Sequence, residues 1–172
     1  MLTYLQGNSL PEMSMTVHQT ARFSNSPMLL HEKSIKRLGL YLYNTKKDGI
    51  IYKPDTSKGL ECCVDADFAG RWKQANANDA ENVMSRTGMV IMYANCPIFW
   101  RSSLKMEISL STTEAEYIAL SSAMRQVLPL IKMTEEIYKV FPLLISKPNF
   151  VCKVHKDNQS CIKMATGKKF PP

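Results

Sequence analysis

The chain has 172 residues, of which 45% are hydrophobic, and its 22 Lys and Arg exceed its 15 Asp and Glu by seven charges. This length suits one domain, or a domain with a piece of another, and the apolar fraction can support a real core. A basic excess of this size is compatible with a nucleic-acid partner and does not by itself require one.

The five cysteines, Cys62, Cys63, Cys96, Cys152 and Cys161, are odd in number, scattered and without a CxxC pair. That pattern argues against a disulfide framework or a zinc site and for an intracellular, reducing compartment. No signal peptide or apolar run of membrane length is visible, so no membrane partner is expected.

Residues 1–47 read as a helical, polar-basic segment. Met13 to Phe23 is amphipathic, with Pro11 near its start and Asn25-Ser26-Pro27 after it. A second amphipathic stretch, Leu29 to Tyr43, sets Ile35, Leu38 and Leu42 against Lys33, Lys36 and Arg37. Lys46-Lys47-Asp48-Gly49 is a turn signal and opens a second region, 48–172. Ile50 to Tyr52 reads as a short strand, and Pro54 to Gly59 as a polar loop.

Leu60 to Phe68 is the next strand by its apolar and β-branched content. Asp65 and Asp67 lie two apart and so share one face of it. Arg71 to Met84 is polar and reads as a long loop. Thr87 to Tyr93 and Ile98 to Ser102 form a hairpin about Asn95-Cys96-Pro97, and Lys105 to Leu110 is a candidate short extension.

Ser109 to Leu120 then begins a helix. Ser111 with Glu114, or Thr113 with Glu116, fits a capping box. At about 100° per residue, Glu116 points the same way as Leu120, Ala123 and Val127, whereas Glu114 points nearly opposite. Glu114 is therefore ordinary helix-start chemistry. Glu116 looks out of the buried stripe, where a carboxylate needs a partner, a proton or a metal. The helix runs at least to Val127, and Pro129 either kinks it or starts a segment from Leu130 to Val140. After a loop at Pro142 to Pro148, Phe150 to His155 is a strand that delivers Asp157. A short helix, Ser160 to Ala165, follows Asn158-Gln159-Ser160.

Three acids thus stand at the ends of separate elements: Asp65, Glu116 and Asp157. Carboxylates converging in this way suit two divalent cations about 4 Å apart, and hard oxygen donors select Mg²⁺ or Mn²⁺ over zinc. His155 is a candidate general base, although a lone strand-end histidine is more often structural. Trp72 and Trp100 are candidate stacking groups, Trp100 being placed more naturally in a core strand. Lys153, Lys156 and Lys163, with Lys168 and Lys169, lie beside the acids and are candidate phosphate contacts.

The words around the acids are more specific than their spacing. Asp65-Ala66-Asp67-Phe68-Ala69-Gly70, Ser85-Arg86-Thr87-Gly88, Pro97-Ile98-Phe99-Trp100-Arg101-Ser102, Leu110 to Leu120, and Lys156-Asp157-Asn158-Gln159-Ser160-Cys161-Ile162 occur in this order. Together they resemble the ribonuclease H region of copia-type LTR retrotransposon Pol polyproteins. Leu10-Pro11-Glu12-Met13, Arg22-Phe23 and Lys36 to Leu42 resemble the end of the reverse transcriptase in the same polyproteins.

This resemblance implies an α/β, ribonuclease H-like mixed sheet flanked by helices, with the reverse-transcriptase connection in 1–47. It implies hydrolysis of the RNA strand of an RNA–DNA hybrid with two Mg²⁺ or Mn²⁺ ions. The catalytic and metal-binding positions fall on Asp65, Glu116 and Asp157, with Asp67 as a supporting residue. It further implies the rest of the polyprotein as a partner, and a virus-like particle or the nucleus as location. Family members continue into a further strand and a helix with a fourth acid, whereas this sequence stops at Pro172. A weak nuclease, or an inactive remnant that only binds nucleic acid or a partner, is the alternative expectation.

Overall fold

The structure is a computed structural model, and it describes residues 1–70, 74, 80–142 and 151–167. Trp72, Lys168, Lys169, most of the expected loop after Gly70 and the expected Pro142–Pro148 loop beyond its first residue lie outside the described residues. Two compact units form, Met1–Tyr52 with Arg101–Ser103, and Lys53–Trp100 with the residues from Leu104 on.

The first unit holds helices α1 (Leu2–Asn8), α2 (Ser14–Ala21) and α3 (Leu29–Asn44), with a 3₁₀ turn at Pro11–Met13. Proline at the first position suits that turn, because its missing N–H would have no partner there. Met13, Val17 and Leu38 are buried together, with Leu2, Leu10 and Leu42 packed around them. Ile35 is the exception to the expected apolar stripe and is half-exposed. Glu32 and Lys36 pair one turn apart at 2.6 Å on the solvated side. Ile50 to Tyr52, expected as a strand, has no regular structure. Three apolar residues beside a Lys-Gly-rich turn carry β propensity, but among the described residues no neighbouring strand takes up their hydrogen bonds.

The second unit is built on a four-stranded mixed sheet in the order β3-β2-β1-β4. Strands β1 (Leu60–Asp67) and β2 (Arg86–Tyr93) are antiparallel from Leu60 opposite Tyr93 to Asp67 opposite Arg86. Strand β3 (Cys96–Leu104) returns from β2 through a turn at Ala94-Asn95. Both turn residues take positive φ, 49° and 63°, the handedness a two-residue hairpin needs. The turn therefore sits one residue earlier than expected, and Cys96 and Pro97 begin the strand. Ala80–Val83 forms one helical turn, α4, within the region expected as loop. Lys105 to Leu110 adds no strand; Lys105 N–H instead bonds the Ser85 carbonyl at 2.8 Å.

Helix α5 (Thr112–Val140) crosses the sheet, and β4 (Lys153–His155) then adds parallel to β1, with Cys62 opposite Val154. Parallel neighbours need such a crossover. A short helix, α6 (Gln159–Ala165), closes the described chain. One antiparallel hairpin, a crossing helix and a parallel strand beside β1 make this a ribonuclease H-like α/β arrangement.

The core follows the two periodicities. Leu60, Cys62 and Val64 alternate along β1, Met89 and Ile91 along β2, and all face Ala119, Ala123 and Val127 of α5. The helix reaches Val140 without a break although Pro129 lies inside it. Pro129 is exposed, so the helix bears its cost, the missing bond to the Arg125 carbonyl and the crowding of the ring against it, without disturbing the core. Pro129→Ala restores that bond and should raise stability by about 1–2 kcal/mol, read as a higher thermal midpoint.

All five cysteines are free. Burial pushes the Cys62 thiol up to about 11, with Cys152 and Cys63 adding to the effect, and burial also raises Cys152 and Cys161. The thiolate is the reactive form, so only exposed Cys63 should react quickly with a thiol reagent at neutral pH, checked by peptide mapping. The raised Cys62 value also has a pH consequence. An acid whose folded value exceeds its unfolded value of 9.0 holds its proton more tightly in the fold. Its contribution to stability is whole below pH 9 and is lost as pH rises towards 11, by at most about 2–3 kcal/mol.

Candidate metal centre

Three elements of the second unit end at one place. Asp65 lies third from the end of β1, one residue beyond Val64, so the pleat turns it out of the core. Its side chain is 73% exposed. Glu116 lies in the second turn of α5. The helix start that positions it uses half of one expected capping box: Ser111 Oγ accepts from Glu114 N at 3.1 Å, whereas Glu114 Oε2 accepts from Leu110 N, one residue before the cap, at 2.6 Å. Glu114 is exposed, whereas Glu116 is buried at 7% exposure. Asp157 follows β4 by two residues. Asn158 behind it caps α6, its side chain accepting from Cys161 N at 2.9 Å, which fixes the chain on both sides of the aspartate.

The structure brings Asp65, Glu116 and Asp157 together, with one carboxylate oxygen from each within 4.8 Å of the others. Parallel pairing of β1 with β4 is what allows this, because it sets the carboxyl ends of both strands side by side. Three carboxylate oxygen donors, two of them from exposed residues, could hold a metal ion.

Two lysines answer this negative charge. Lys156 Nζ donates to Glu116 Oε2 and to the Val64 carbonyl at 3.0 Å, and lies 3.8 Å from Asp65 Oδ1. Its side chain is only 2% exposed. Lys105 Nζ donates to the Ala115 carbonyl, next to Glu116. Burial holds the Lys105 ammonium below its ordinary range, and the Glu116 carboxylate opposes that shift.

The other sequence candidates separate. Asp67 does not belong to the cluster; its carboxylate folds back against Gly70, so close that a Cβ there would overlap it at 2.1 Å. His155 turns to the other side of β4 and lies 3.4 Å from the Glu61 carboxylate. Lys153 and Lys163 are exposed, while Lys156 is turned inward. Phe99 packs against the core, and Trp100 is half-buried. Lys105 carries no site signal in the sequence, and Lys156, expected there as a phosphate contact, is instead the partner of Glu116. A signal existed for Lys156: period-two alternation puts it on the same side as Val154, which packs against the core.

Comparison with known proteins gives the lineage. No family model matches the chain, and no solved structure matches it. It is 28% identical over 169 residues, 98% of its length, to the retrovirus-related Pol polyprotein from transposon TNT 1-94 of Nicotiana tabacum. It is 30% identical over 112 residues to the corresponding polyprotein from transposon RE1 of Arabidopsis thaliana. The chain spans 11% and 7% of those two relatives. Secreted RxLR effector protein 161 of Plasmopara viticola is 29% identical over 125 residues, which is 82% of that protein. No helix among the described residues is long and apolar enough to cross a membrane. The chain is thus related to the Pol polyproteins of copia-type retrotransposons, in the tobacco relative over nearly its whole length.

Proposed function

We propose that residues 48–172 are a ribonuclease H domain, that 1–47 are the end of a reverse-transcriptase connection, and that the second region hydrolyses the RNA strand of an RNA–DNA hybrid. The observation that supports this reading is the spacing of the Asp65, Glu116 and Asp157 oxygens, all within 4.8 Å of one another. Oxygens that close can share a divalent ion, and carboxylates at such a cluster suit a two-metal site of Mg²⁺ or Mn²⁺ with ions about 4 Å apart. When bound, such ions supply charge neutralisation at the scissile phosphate and a water of lowered pKa.

The chain's own residues do the rest. Asp65 and Asp157 stand at the exposed mouth of the cluster, where a phosphodiester can approach. Glu116 anchors the inner end and is held in place by the packing of α5 on β1. Lys153 and Lys163 are exposed, and in this reading they contact backbone phosphates without reading bases. Asp67 supports the turn that follows β1. Hydrolysis of a labelled RNA–DNA hybrid, with and without Mg²⁺, tests the reading. Metal-dependent loss of the RNA strand alone is the expected result, and an intact hybrid at every metal concentration overturns it.

A second reading is favoured by one specific observation. Lys156 already occupies the inner carboxylate, as it would in a remnant that has given up metal chemistry and retains only nucleic-acid or partner binding. Under that reading the hybrid binds in a salt-dependent manner and is not cut.

A further inference from the structure

We propose that Lys156 is a tethered cation that competes with a divalent metal for the Glu116 carboxylate, so that metal loads only when this side chain swings out. The inference rests on the metal-binding reading of the acid cluster. An ammonium has three N–H donors and no acceptor. Here they face three oxygens: Glu116 Oε2, the Val64 carbonyl at 3.0 Å, and Asp65 Oδ1 at 3.8 Å. Two of these belong to the carboxylates that would bind a metal.

Burial makes the competition strong. With 2% of the Lys156 side chain and 9% of the Glu116 side chain exposed, water screens neither charge. A divalent ion entering beside the ammonium meets a like charge at short range, and one that takes the Glu116 oxygen must remove a charge-assisted hydrogen bond. The way out is short. Asp157 next to Lys156 is exposed, Asp65 is 73% exposed, and the lysine stem is flexible. Metal binding thereby exchanges one buried cation for another and delivers the released ammonium to the open side of the cluster.

Three measurements on the full chain decide the matter. Lys156→Met keeps the length of the stem and removes the charge. Its affinity for Mn²⁺, measured by the paramagnetic resonance of the free ion, should rise at least about tenfold over the native chain. Its thermal midpoint in EDTA should fall, because Glu116 then lies buried without a partner, and Mn²⁺ should recover more than it does for the native chain. Unchanged or weaker Mn²⁺ binding by a folded Lys156→Met chain overturns the proposal.

The native chain offers a second test that does not depend on the variant folding. Lys156 should resist an amine-reactive label in EDTA and accept it at saturating Mn²⁺, read by mass spectrometry. Protection in both conditions overturns the exchange. Glu116→Gln separates this inference from the reading beneath it. Mn²⁺ binding that needs Glu116 but ignores Lys156 removes the competitor and keeps the metal site. Absence of Mn²⁺ binding in native and Lys156→Met chains alike removes both.

Discussion

Glu116→Gln is expected to abolish Mg²⁺-dependent cleavage of an RNA–DNA hybrid, while Glu114→Gln, two residues away, leaves it close to native. The two glutamates differ in what they face. Glu114 is exposed at the helix start, where its carboxylate accepts from Leu110 N. Glutamine keeps that acceptor, so the loss is a charge near the positive end of the helix, worth about a few tenths of a kcal/mol. Glu116 is buried, supplies an oxygen to the acid cluster and accepts from Lys156. Glutamine there still accepts from Lys156, so the chain should fold, with a cost of about 1–2 kcal/mol for the weakened charge-assisted bond. It cannot neutralise a metal, and the rate should fall by more than about 100-fold. Parallel assays of cleavage and thermal unfolding on both variants check this. Equal losses from the two changes would refute the assignment of distinct roles.

The distinction between these glutamates was legible in the sequence, because helical period and apolar stripe are local properties. So were the alternation of Leu60, Cys62 and Val64 and the Ser111 cap, for the same reason. Convergence of Asp65 with Asp157 was not a local property. Ninety-two residues separate them, and only the parallel pairing of β1 with β4 brings them side by side; word-level resemblance, not spacing, pointed there. Lys156 shows the opposite failure. Its charge suggested a solvated phosphate contact, whereas its position after Val154 in a strand turned it inward. Pro129 was expected to kink its helix or to start a second segment; one helix of twenty-nine residues packed on a sheet runs through it, so no second segment starts there. Ile50 to Tyr52 carried strand propensity and found no neighbour, since a strand is a tertiary contact as much as a local shape.

Ala119→Leu should cost about 1–3 kcal/mol of stability and also remove metal binding, although residue 119 is not part of the acid cluster. Ala115, Ala119 and Ala123 have no exposed surface, and Ala119 and Ala123 pack directly against Leu60, Cys62 and Val64 of β1. Side chains this small let the helix approach the sheet closely, and that approach is what holds Glu116 beside Asp65. A leucine at 119 has no void to fill, so α5 must move away from β1 and take Glu116 with it. A displacement of about 1 Å costs roughly 100-fold in a reaction that depends on position. Ile91→Val is the matched control. It removes one methyl group from β2, on the far side of β1 from β4, and should cost about 0.5–1.5 kcal/mol with Mn²⁺ affinity retained. Thermal unfolding and Mn²⁺ binding measured on both variants separate the two effects. If Ala119→Leu and Ile91→Val bind Mn²⁺ equally well, the helix–sheet distance does not set the cluster, and Glu116 is positioned by its own turn of helix alone.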